Sequence, residues 1–110
     1  MKIKLLCNDL MTRTRLVSRW QKADAVILKS HEKIIPDIIV VDLADTNAFS
    51  ILRKEREHYP HARIVVFGPH VEAQTLKLAK QAGADEAVVR GKIAERVLKR
   101  LRDNNSQEEK

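Results

Sequence analysis

At 110 residues the chain has room for one domain and at most a short tail, which excludes a multidomain enzyme. An apolar content of 44% is enough for a core without disulfides or metal staples, and together with 33% charged residues it excludes disordered and membrane-embedded classes. The formal net charge of +6 favours contact with nucleic acid, an anionic membrane or an acidic protein surface.

The first apolar run, 3–7, is strand-like and too short for a signal peptide. Cys7 closes it and is the only cysteine, so an internal disulfide is impossible; a buried thiol in a reducing, cytoplasmic setting is expected. Leu10, Leu16, Val17 and Trp20 then share one helical face, with Arg13, Arg15, Arg19 and Lys22 largely elsewhere. A second strand is expected at 25–28. The nine residues that follow, KSHEKIIPD, are too few for a crossover of roughly ten to twelve residues, so the second helix of the repeating pattern should be one turn or missing.

The runs IIVVDL at 38–43 and IVVF at 64–67 are continuous rather than alternating, as strands covered on both faces are. Between them Ala48, Leu52 and Tyr59 mark a helix that Pro60 ends. Val71, Thr75, Leu78, Ala79 and Ala82 mark the next, which stops at Gly83; a short strand at 87–89 and a last helix carrying Ile93, Val97, Leu98 and Leu101 complete the chain. From Asp103 the sequence DNNSQEEK reads as a frayed polar tail, giving a domain at 1–102 and a flexible tail at 103–110. Nowhere do 18 apolar residues run together.

Strands alternating with helices specify an α/β domain. Five of them at this length predict a flavodoxin-like parallel sheet of order 2-1-3-4-5 with right-handed crossovers. Ligands of such sheets bind beyond the strand carboxyl ends where the order reverses, between the first and third strands. Asn8 and Asp9 follow the first strand and Asp42 ends the third, so two carboxylates and an amide could meet there and suit Mg²⁺. The plainer alternative is that Asp9 caps the first helix and Asp42 is a solvated strand-end residue.

At these residues the chain resembles a response-regulator receiver domain of the CheY-like kind, over nearly its whole length. KIKLLCND is similar to the family's first strand and acidic pair, PDIIVVDL to its third strand and phosphoacceptor, and QAGADEAVVRG to the approach to its fifth strand. The resemblance implies that Asp42 accepts a phosphoryl group from a histidine kinase or a small phosphodonor, with Asn8, Asp9 and Asp42 holding Mg²⁺. Several signature positions depart from the pattern. Asn8 replaces one acid, Gly68 stands where a Ser or Thr hydroxyl is usual, Arg90 replaces a lysine and Gly91 a proline. The loop LADTNAF is also short. The resemblance as altered implies an atypical, degenerate pseudo-receiver in signal transduction. It would act by protein contact rather than as an enzyme, with weak Mg²⁺ binding and phosphorylation at Asp42 in doubt. The alternatives are a conventional Mg²⁺-dependent receiver of a two-component phosphorelay and a basic nucleic-acid-associated module.

His58, His61 and His70 lack the thiolates and spacing of a zinc site, and Gly68, Gly83 and Gly91 form no phosphate-binding loop. The cations are more informative. Arg13, Arg15, Arg19 and Lys22 on the first helix and Lys92, Arg96, Lys99, Arg100 and Arg102 on the last should form one basic surface, suited to an acidic protein. An aromatic content of 4% and the lack of a helix-turn-helix segment weigh against nucleic acid. In the family resembled, the region matching residues 71–101 commonly forms a dimer or partner surface; here Gln74, Lys77, Lys80 and Gln81 give its helix a polar face.

Overall fold

The computed structural model describes residues 1–29 and 31–108, with side chains to residue 103. The elements are β1 (Lys2–Leu6), α1 (Leu10–Lys22), β2 (Val26–Ile27), β3 (Ile38–Asp42), α2 (Ala48–His58), β4 (Arg63–Gly68), α3 (Ala73–Gln81), β5 (Glu86–Val89) and α4 (Ile93–Glu108), with a 3₁₀ turn at Arg90–Lys92 before α4. All strand pairs are parallel and the order is β2-β1-β3-β4-β5, the order the sequence predicts. Among the described residues no helix is long and apolar enough to cross a membrane.

Strand alternation sends side chains to two cores. Ile3, Leu5, Val40, Val65 and Phe67 pack against Leu16 and Trp20 of α1 and Ile93, Val97 and Leu101 of α4. Ile39, Val41, Ile64 and Val66 face Ala48 and Leu52 of α2 and Ala79 of α3. Trp20 is fully buried and its indole N–H donates to Ala94 O at 3.2 Å, fastening α1 to α4.

No helix links β2 to β3 among the described residues. The sheet face such a helix would cover falls to β1, where Lys4 and Leu6 are only half-buried. Lys4 is paired with Glu55 of α2 and lies 5.2 Å from the Tyr59 ring centre. Ile34 and Ile35, in the connection, are exposed.

Several boundaries and faces differ from the sequence reading. β2 has two residues rather than four, and Val71 precedes α3, which starts at Ala73. Leu10 and Leu78 point outward, 73% and 42% exposed, while Thr12 takes the inward place on α1 because its hydroxyl is drawn to the helix cap. Helix α4 continues to Glu108, through most of the segment read as tail, and residues 109–110 of that segment lie outside the described residues.

At the amino ends of the strands Arg56 joins three segments. Its guanidinium donates to Gly83 O at 2.9 Å, Ala62 O at 2.9 Å, Pro60 O at 3.0 Å and Asp85 Oδ2 at 2.8 Å. Asp85 also accepts from Ile64 N at 2.8 Å, which ties the α3–β5 turn to β4.

Candidate functional site

Asp42 is the last residue of β3, at the carboxyl edge of the sheet, and only 3% exposed. Its neighbours follow from register. Leu6 pairs with Val41, so Cys7 comes beside Asp42 on one side, and Phe67 of β4 pairs with Asp42 on the other. The protein supplies partners for both carboxyl oxygens. Oδ1 accepts from Ala44 N at 2.9 Å and lies 3.5 Å from Arg90 Nη2; Oδ2 accepts from the Cys7 thiol at 3.4 Å. Burial pushes the Cys7 thiol up; its contact with the Asp9 carbonyl opposes this and Asp42 adds to it.

Arg90 is placed by the 3₁₀ turn directly after β5, and its guanidinium carbon lies 5.9 Å from the Phe67 ring centre. Its Nε is buried and has no hydrogen-bond partner among the described residues. The positive charge also reaches Asp9: the Thr12 hydroxyl and backbone N–H hold that carboxyl below its usual range, and Arg90 lowers it further.

Asp9 is the N-cap of α1, accepting from Thr12 N at 3.2 Å and from the Thr12 hydroxyl. Asn8 turns the other way, its amide donating to Asp45 Oδ2 at 2.6 Å. The acidic and amide groups at this edge are therefore engaged separately, and among the described residues no group of three or more His, Cys, Asp or Glu side chains is placed to hold a metal ion. A hard cation seeks converging, unengaged oxygens; here Asp9 is engaged by Thr12, Asn8 by Asp45, and a guanidinium lies beside Asp42.

Gly68 ends β4, buried, with Leu43 Cβ 3.5 Å from where its own Cβ would lie. No hydroxyl reaches Asp42 from that position. Gly91 has nothing within 4 Å of its Cβ position.

Helices α1 and α4 lie on one face of the sheet, and their cations divide. Arg15, Lys22, Lys92, Lys99 and Arg102 are exposed. Arg13 turns inward, its guanidinium donating to Leu5 O at 2.8 Å, and Arg19 pairs with Glu95 across the helices. Arg96 and Arg100, with Arg63 of β4, surround Glu86 of β5 at 3.0–3.3 Å. Burial pushes the Glu86 carboxyl up, but the hydrogen bonds from Arg63 and Arg100 outweigh it and the net shift is downward.

Sequence reasoning missed Cys7 as a partner of Asp42, Asp45 as the partner of Asn8, and the inward course of Arg13. For Cys7 the signal was present: aligning KIKLLC with DIIVVD as adjacent parallel strands sets the thiol beside the carboxylate.

No protein-family model matches the chain, and no curated protein does. Solved structures do. A response regulator from Thermotoga maritima is 15% identical with a TM-score of 0.77, over 93% of this chain and 94% of its own. A response regulator from Burkholderia pseudomallei, solved with a phosphorylated aspartic acid, a calcium ion and citrate, is 20% identical with a TM-score of 0.79, over 98% of this chain and 70% of its own. The Vibrio cholerae chemotaxis protein CheY4 is 17% identical with a TM-score of 0.80, over 93% and 96%. The fold is that of CheY-like response-regulator receiver domains.

Proposed function

We propose that this chain is a receiver-like signalling module that works through protein–protein contact and does not depend on phosphorylation. The observation that carries this reading is the state of Asp42. Its carboxylate is buried and met on both oxygens by the chain's own Ala44 N–H, Arg90 and Cys7, while Gly68 offers no hydroxyl through which a phosphoryl group could select a second conformation. A ligand shifts an equilibrium only by what it binds differently in the two states, and here the differential contact is lacking. Output then rests on the surface. Its partner is a signalling protein, a histidine kinase or a downstream protein, and the exposed cations of α1 and α4 favour an acidic one. Residues 71–101 offer a second face for self-association.

One observation favours a conventional receiver instead: Asp42 stands at the end of the third strand of a fold in which the Burkholderia relative carries a phosphorylated aspartic acid. Intact mass after incubation with acetyl phosphate and Mg²⁺ separates the two. We expect no phosphoryl adduct; an adduct that disappears in Asp42→Asn establishes the conventional reading.

A further inference from the structure

We infer that a slot at the amino edge of the sheet, at the opposite end of β3 from Asp42, binds a planar aromatic ring carrying an N–H donor, of the indole kind, with Asp37 as the acceptor. The inference goes beyond the reading of Asp42 and does not depend on it.

Two short segments border the slot: 35–37, which leads into β3, and 58–62, which joins α2 to β4. Ile35, Pro36, Tyr59, Pro60 and Ala62 line a volume of about 330 Å³, within the roughly 300–1,000 Å³ of small-ligand sites. Pro36 and Ala62 are buried and Tyr59 is half-buried. Ile35, the one branched aliphatic side chain of the lining, is 72% exposed, so a ring seated beside it buries apolar surface that the fold leaves in water.

Both segments are held before any ligand arrives. Asp37 N donates to Lys2 O at 2.8 Å, Asp37 O accepts from Arg63 N at 3.0 Å, and Asp37 Oδ2 accepts from Lys2 N at 2.8 Å. On the other side Arg56 Nη1 donates to Tyr59 O at 3.3 Å, Pro60 O at 3.0 Å and Ala62 O at 2.9 Å, and a proline fixes φ in each segment. A preformed slot loses little conformational freedom on binding.

The polar groups select a donor. Asp37 is the only carboxylate in the lining, and its Oδ1 has no hydrogen-bond partner among the described residues. Helix α2 ends at His58, so the negative end of its dipole lies at the same place. Both repel an anion and attract an N–H. His58 stands edge-on to Tyr59 at 5.3 Å and extends the aromatic surface, while the Lys4 ammonium near the Tyr59 ring is already paired with Glu55.

The test is a ¹H–¹⁵N correlation titration of the full chain with indole, 1-methylindole and N-acetyl-L-tryptophanamide. Indole should give saturable shifts at amides within 35–37 and 58–62, with a dissociation constant of about 1 mM or tighter. 1-Methylindole, which lacks the donor, should bind about fivefold more weakly or worse. Ile35→Ser, at an exposed position that leaves the fold intact, should weaken indole by about fivefold or more. Asp37→Ala should erase the difference between the two indoles. N-acetyl-L-tryptophanamide binding like indole identifies the ring as a tryptophan side chain of a protein partner, and indole binding alone identifies a free heteroaromatic compound; either supports the slot. Indole shifts that lie elsewhere or do not saturate by about 10 mM overturn the assignment. Equal binding of the two indoles, undiminished binding by Ile35→Ser, or a folded Asp37→Ala that keeps the difference overturns it as well. If Asp37→Ala does not fold, the comparison of the two indoles on the wild-type chain decides alone.

Discussion

Lys4 of β1 and Glu55 of α2 form an ion pair across the sheet face left open where no helix links β2 to β3 among the described residues. An apolar side chain at position 4 would be half-exposed there; lysine lays its stem along the sheet and delivers its ammonium to a carboxylate only 11% exposed at the side chain. Removing one partner leaves the other charge poorly solvated. Lys4→Met should destabilise the fold by about 2 kcal/mol, and Lys4→Met/Glu55→Leu should recover most of that loss. Urea unfolding of the single and double variants measures both.

Two glycines should respond with opposite sign to the same change. Gly83 has φ +117°, and a Cβ there would lie 2.7 Å from Arg56 Cβ, so Gly83→Ala should cost about 2 kcal/mol or more. Gly68 has room, its nearest contact being 3.5 Å, and Gly68→Ala should be neutral or stabilising by about 0.5 kcal/mol through the unfolded chain. Thermal unfolding midpoints distinguish the two.

Arg56→Met should cost about 2–3 kcal/mol, since the Gly83, Pro60 and Ala62 carbonyls lose a charged donor together and Asp85 loses its counter-ion. Amide hydrogen exchange should quicken in the 59–63 and 82–86 segments before it does in β1 or β3.

Glu86 provides a pH signature. Its folded-state value lies below the ordinary glutamate value of about 4.3, so its contribution is fully present above that value and is lost as pH falls through the lowered folded one. The three arginines around it are each more than a third exposed, which limits the contribution to about 1 kcal/mol. Glu86→Gln should lower stability at neutral pH and flatten the acid limb of a stability profile below the ordinary glutamate value, measured by denaturant unfolding at each pH.

The sheet order and the absent helix were legible because they depend on patterns of several residues: continuous apolar runs for β3 and β4, and nine residues where a crossover needs more. The placement of Asp42 was legible for the same reason. What could not be read was the direction of individual long side chains. Arg13 turns to Leu5 O and Asn8 to Asp45, and each choice is made by a hydrogen-bond partner that only the folded backbone brings near, whereas the capping of α1 by Asp9 uses a partner three residues on and was open to the sequence as one alternative. Leu10 shows the same limit at a helix end, where the periodicity assigns it to the inward face and the structure leaves it 73% exposed.

Trp20, wedged under α4 with its N–H on Ala94 O, gives the chain a single tryptophan at the end of α1 remote from Asp42. Its emission should be blue-shifted in the native protein and move to the red only when the last helix undocks. Changes confined to the carboxylate edge would leave it silent, so optical titrations can tell ligand binding at Asp42 apart from loosening of the whole domain without any added dye.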